Sequence, residues 1–233
     1  MLDMQNREEF MDFSSDHPVL QSLRKHWADT RKGGIHFCCV TSPYGATSGQ
    51  LIRQYQNEIA VECLTWPITL AHHDTGEAIA PKFLAGLWRS IHNSVNQQSS
   101  ILKALRKLLS KAKDPKEKRH LTIIRDAVQM LKLSEGKTMV FPPDTPIETT
   151  IRCIQVVSEC FPVFMILEQI DATHSMIPPT VLQVLHKFQS KTQRLMVVID
   201  SPYINEISQH WLPVGINSLI TDIEVPVYPI KPM

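Results

Sequence analysis

No run of 18 apolar residues occurs in this chain, so no segment reads as a membrane-spanning helix. The first residues, MLDMQNREEFMDF, are acidic and polar and lack the apolar centre of a secretory signal. No CxxC pair is present, which removes the usual zinc frameworks. The five cysteines (Cys38, Cys39, Cys63, Cys153 and Cys160) are odd in number and sit in apolar runs. They read as reduced core thiols of an intracellular protein, not as a disulfide scaffold. Charge of one sign is missing too. The formal net charge is +1, so binding to nucleic acid or to a membrane surface would have to rest on a local patch. Internal repeats and low-complexity segments are absent. What remains is an ordinary globular balance, 43% hydrophobic and 20% charged, in a chain of 233 residues long enough to bury a full core.

Along the chain, residues 16–30 carry Val19, Leu20, Leu23 and Trp27 at helical spacing after an Asp/Pro start. Lys32-Gly33-Gly34 ends this lead-in helix, and residues 35–40 follow as a buried strand. A helix over 49–59 leads to a β-like run at 60–66, with its paired part at 60–64. Residues 67–80 read as a loop, and 81–95 as a helix with Phe83, Leu84, Leu87, Trp88 and Ile91 on one face. Two more helices, 99–111 and 116–133, break at Asp114-Pro115. Thr145, Pro146 and Glu148 open a helix over 145–161. Short apolar strands at 163–167 and 195–199 flank a helix at 179–190, and residues 218–227 alternate as a last strand. Strands apolar on both faces and separated by helices indicate a parallel sheet covered on both sides. The expected fold is one α/β domain over residues 1–233. It is a three-layer sandwich around a mainly parallel five-stranded sheet, with a helical insertion at 99–133.

Residues 35–51 have the outline of a phosphate-binding loop. A strand runs into the tight turn Thr41-Ser42-Pro43-Tyr44-Gly45-Ala46, and Leu51 starts a helix. A working loop places Gly-Lys-Ser/Thr before that helix, the Lys meeting the terminal phosphates and the hydroxyl holding Mg²⁺. Here those places read Thr47-Ser48-Gly49. With this loop and the order of elements, residues 35–227 resemble the nucleotide-binding core of signal-transduction ATPases, of the NACHT type within the AAA+ class. Residues 164–172 (FMILEQIDA) resemble its Walker B segment, with Glu168 in place of the first Asp, Asp171 kept and Ala172 where the last acid would stand. Residues 195–202 (LMVVIDSP) resemble the sensor strand, of which Asp200-Ser201-Pro202 retains only the Ser.

The resemblance implies a vestigial nucleotide loop at Ser42, Gly45, Thr47, Ser48 and Gly49 and a vestigial Walker B at Glu168 and Asp171. It implies that hydrolysis is lost, because a Lys neutralises phosphate charge that Ser48 cannot. It also implies the spatial order of strands fifth, first, fourth, third, second. The expectation is therefore a non-catalytic, regulatory or scaffolding interaction protein with no cofactor and no resident metal. Mg·ATP is the one ligand that the loop still brings to mind. Two alternatives stay open. One is a nucleotide-gated NTPase with Glu168 on Mg²⁺ and Arg53 replacing the Lys; the other is a nucleic-acid-binding accessory factor.

The same residues have plainer readings. Gly45 and Gly49 fit a simple strand-to-helix turn, and Glu168 and Asp171 fit a solvated strand end. His72-His73-Asp74 reads as a polar loop, since adjacent residues of an extended chain point opposite ways. Residues 103–119 hold Lys103, Arg106, Lys107, Lys111, Lys113, Lys116, Lys118 and Arg119 against Asp114 and Glu117, a local excess of six positive charges. Leu102, Leu105, Leu108 and Leu109 form the apolar stripe of this helix, so the basic groups project from its other side. Lys103, Arg106, Lys107 and Lys111 are the candidate partner-binding residues, toward an acidic protein surface, nucleic acid or anionic lipid. No aromatic interleaves the run to stack bases. A solvated helical face is the ordinary reading of such a run.

Overall fold

Apolar strands need cover on both faces, and the computed structural model pairs and covers them in that way. It describes residues 13–42, 46–69, 76–93, 98–130, 147–168, 187, 193–201 and 220–225. The elements run α1 (Pro18–Arg31), β1 (Ile35–Thr41), α2 (Ala46–Ile59), β2 (Leu64–Thr69), α3 (Gly76–Asn93), α4 (Gln98–Lys111) and α5 (Pro115–Met130). They continue with α6 (Ile147–Cys160), β3 (Val163–Glu168), β4 (Leu195–Ser201) and β5 (Ile220–Glu224). The five strands form one sheet in the order β2-β3-β4-β1-β5. Every pairing is parallel, with Cys38 opposite Val198 and Met165 opposite Val197. Read from the other edge, that is the order the resemblance implies. None of the described helices is long and apolar enough to cross a membrane.

Side chains alternate across each strand, and the two sets enter two clusters. Cys38, Val40, Phe164, Ile166, Met196, Val198 and Ile223 pack with Leu20, Leu23 and Trp27 of α1 and Leu51, Ile52 and Tyr55 of α2. Phe164 sits edge-on to both Trp27 and Tyr55, at ring-centroid distances of 5.9 and 5.7 Å. Phe37, Cys39, Trp66, Met165, Leu167, Val197 and Ile199 pack instead with residues of α3, α4, α5 and α6. Helix α1 starts at His17, whose Nδ1 accepts from the Val19 amide ahead of Pro18 at the first helical position. It ends at Gly33, which takes the positive φ of a helix stop.

Between residues 60 and 81 three boundaries differ from expectation. The strand expected at 60–64 is a turn followed by β2. The Glu62 amide donates to the Ile59 carbonyl, Val61 points to solvent, and pairing begins only at Leu64. Pro67, read as the start of a loop, lies inside β2. It is tolerated because β2 is an edge strand, where one missing N–H costs no ladder bond. Helix α3 begins at Gly76, not Pro81, and carries Pro81 within it. Burial of Ala80, Phe83, Leu84 and Leu87 against the sheet outweighs the lost helical bond. Gly86 has a packing reason to be there, since a Cβ would stand 2.2 Å from Trp66 Nε1.

The helix expected at 179–190 and the loop histidines His72 and His73 lie outside the described residues, apart from Lys187.

Candidate functional site

In an open parallel sheet, ligands are received at the carboxyl ends of the strands, where neighbouring strands send their connections in opposite directions. Here β1 and β4 are neighbours, and Thr41, Ser42, Asp200 and Ser201 stand at their carboxyl ends. Helix α2 starts against this end. Its first turns contain Thr47, Ser48 and Gly49, so the three residues expected to occupy the loop are helical. The helix starts earlier than its apolar pattern suggested because Ser48 is anchored. Its hydroxyl donates to Asp200 Oδ1 at 2.6 Å, and Ser48 is fully buried. Gly49 lies close on the other side of the same carboxylate, since a Cβ there would meet Asp200 Oδ2 at 3.2 Å. Thus the Asp200 carboxylate rests against the first turn of α2, where an anion is favoured.

Burial is the main cause that pushes the Asp200 carboxyl above its ordinary value. The Ser48 hydrogen bond opposes it, Glu168 adds to it through like charge, and Arg53 opposes it. Alternation along β3 puts Glu168 on the face of Phe164 and Ile166, which is also the face of Asp200. Glu168 ends β3 as expected and is half-buried. Arg53 is exposed and lies one turn beyond Gly49 on α2. Ser42 is buried. Thr41 Oγ1 is buried without a hydrogen-bond partner among the described residues. Gly45 and Asp171 lie outside the described residues.

Asp200 is the residue that sequence reading undervalued, because LMVVIDSP was set against a sensor strand and its acid counted as a departure. A signal was present. The expected strand order puts the fourth strand beside the first, so an acid ending the fourth strand must meet the helix that follows the first.

The basic residues stand where expected. Leu105 of α4 is buried and Leu102, Leu108 and Leu109 are half-buried, whereas Lys103, Arg106, Lys107 and Lys111 are exposed. Helices α4 and α5 pack as a hairpin through the link at Ala112, which is itself buried. No group of three or more His, Cys, Asp or Glu among the described residues is arranged to hold a metal. Burial pushes the Cys38, Cys63 and Cys153 thiols up to about 12, far from the reactive thiolate range.

Comparison with protein-family models, with curated protein sequences and with solved structures returns no match.

Proposed function

We propose that this chain is a non-hydrolysing interaction module, built as a three-layer core similar to that of phosphate-loop NTPases of the NACHT or AAA+ kind. The observation that carries this reading is the Ser48–Asp200 contact. The Ser48 hydroxyl, which stands in the place of the phosphate-binding lysine, is held by a carboxylate of the same chain. A nucleotide triphosphate arriving there would meet Asp200 and Glu168, with no Lys in Thr47-Ser48-Gly49 to neutralise it. Transition-state charge stabilisation is usually the largest catalytic term, and here the field has the wrong sign for it. A module without turnover acts through what it holds, hence a regulatory or scaffolding role and a protein partner.

Isothermal titration of the chain with Mg·ATP, together with a phosphate-release assay, tests the reading. No binding in the micromolar range and no turnover are expected. Micromolar binding, or turnover that disappears in Glu168→Ala, overturns it. Installing a lysine by Ser48→Lys together with Thr47→Gly is expected to leave the chain inactive, because Asp200 and Glu168 remain.

A further inference from the structure

The charged side chains of this protein follow two patterns. Around α1 and α2, three cations meet acids: Arg24 meets Glu58 at 2.7 Å, Arg31 meets Glu62 at 2.8 Å, and Lys32 meets Asp29 at 3.9 Å, while exposed Lys25 and Arg53 stand singly without an ion pair among the described residues. On α5, Arg125 meets Asp126. On α4 the unpaired cations cluster on one face. Lys103, Arg106, Lys107 and Lys111 are exposed, and none lies within ion-pair distance of a carboxylate among the described residues. Exposed Lys113 continues the patch on the link to α5. The α4 cations fall on one side of the helix, opposite buried Ile101 and Leu105. Lys103, Lys107 and Lys111 succeed one another at about 6 Å along the helix axis.

We propose that this face of α4 is the docking surface for an acidic protein segment, one that presents carboxylates at one-turn spacing on a helix of its own. The proposal names the partner class for the interaction module described above. It rests on that role, though not on the absence of hydrolysis. Three observations favour an acidic protein over other polyanions. The chain as a whole carries a net charge of only +1, far from the strongly basic domain that a duplex nucleic acid selects. Residues 103–119 contain no Phe, Tyr or Trp on which single-stranded bases could stack. The apolar residues of α4 turn inward to the core, leaving none of the exposed Leu or Trp that an interfacial helix inserts into lipid. A helical partner with acids on successive turns matches the one-turn repeat of the cations, and opposite charge so arranged speeds encounter and fixes register.

The test is titration of the full chain with three probes, each at low and at physiological salt. The first is a synthetic helical peptide with Glu on every turn; the second is a random-sequence DNA duplex; the third is vesicles containing phosphatidylserine. The expected result is salt-dependent binding of the peptide, stronger than of duplex or vesicle. It should weaken about tenfold or more when Lys103, Arg106, Lys107 and Lys111 are changed to Glu. The same four positions changed to Gln should give an intermediate loss, with the circular dichroism spectrum of the parent chain. Tighter binding of the duplex or the vesicles, or peptide binding untouched by the reversal, overturns the proposal. Phosphate release measured on the same samples keeps the two readings apart, since ATP turnover would end the non-hydrolysing assignment and leave this surface standing.

Discussion

Helices α2 and α4 are both 14 residues long and both bury one apolar face, α2 against the sheet and α1 and α4 against α5 and α6, yet they treat their polar groups in opposite ways. Three of those of α2 are turned onto the protein itself: Ser48 onto Asp200, Gln54 onto the backbone of Phe13 by two hydrogen bonds, and Glu58 onto Arg24. Those of α4 face outward with no acid to meet them among the described residues. The difference teaches where to look for function. A surface whose charges are satisfied internally gains nothing from a partner of opposite charge. A surface of clustered like charges carries a self-repulsion that an acidic partner relieves. Among the described residues, Ser48, Gln54 and Glu58 of α2 are therefore met within the chain and the cations of α4 are not, which makes α2 the closed helix of the pair and α4 the open one.

The comparison is broken most directly at Ser48. Ser48→Ala removes a hydrogen bond from a buried hydroxyl to a half-buried carboxylate and should cost about 2 kcal/mol, read as a lower urea midpoint with unchanged slope. Asp200→Asn should cost less, because its amide oxygen still accepts from Ser48 and the desolvated charge is gone. The two also differ with pH. The folded-state value of Asp200 lies above its unfolded one, so the folded chain binds the proton more readily. Stability from this group therefore falls as pH rises from the ordinary carboxylate value through the raised one. Ser48→Ala should steepen that fall, since the bond that stabilises the ionised form is lost, and Asp200→Asn should abolish it. An unchanged midpoint in Ser48→Ala would mean that α2 is not the closed helix.

How much of this was legible beforehand depends on the range over which each interaction acts. The strands β1, β3 and β4 were legible because a run apolar on both faces can be little else, and the structure extends each by only one or two residues. The α4 stripe was legible by periodicity: Leu105 is buried and the four cations are exposed. Strand β2 was misplaced because Pro67 looks like a break, and only its place at the sheet edge makes it harmless. The Ser48–Asp200 contact joins residues 152 apart, and no local spacing announces it. It follows only from strand order, which the resemblance supplied and the residues alone did not.

A smaller effect sharpens the closed side. Arg24 and Glu58 join α1 to α2 through two hydrogen bonds of 2.7 and 2.8 Å, and the bond to Arg24 holds the Glu58 carboxyl below its usual value. The two side chains are 34% and 41% exposed, so water screens the pair, and Glu58→Gln should cost about 0.5–1 kcal/mol at low salt. Because the folded value is depressed, this stabilisation is present above the ordinary Glu value and is lost as pH falls through the folded one. The loss caused by Glu58→Gln should shrink in high salt and vanish at acid pH. A cost independent of both would assign the contact to packing of the side-chain stems.

The smallest expected effect lies on the open side, and its smallness is informative. Lys103→Gln, Arg106→Gln, Lys107→Gln and Lys111→Gln together remove four charges that no described acid opposes. Surface changes away from caps, cores and ion pairs usually stay within about 0.5 kcal/mol each, and relief of like-charge repulsion offsets the loss of stem packing. The melting temperature of the quadruple variant should therefore stay within about 2 °C of the parent in physiological salt. At low salt, where repulsion among the four cations is least screened, it should rise above the parent. A marked fall would show that these cations hold the fold together through contacts within the chain. The two helices would then differ in the identity of their partners, not in openness, and α4 would lose its claim as the binding face.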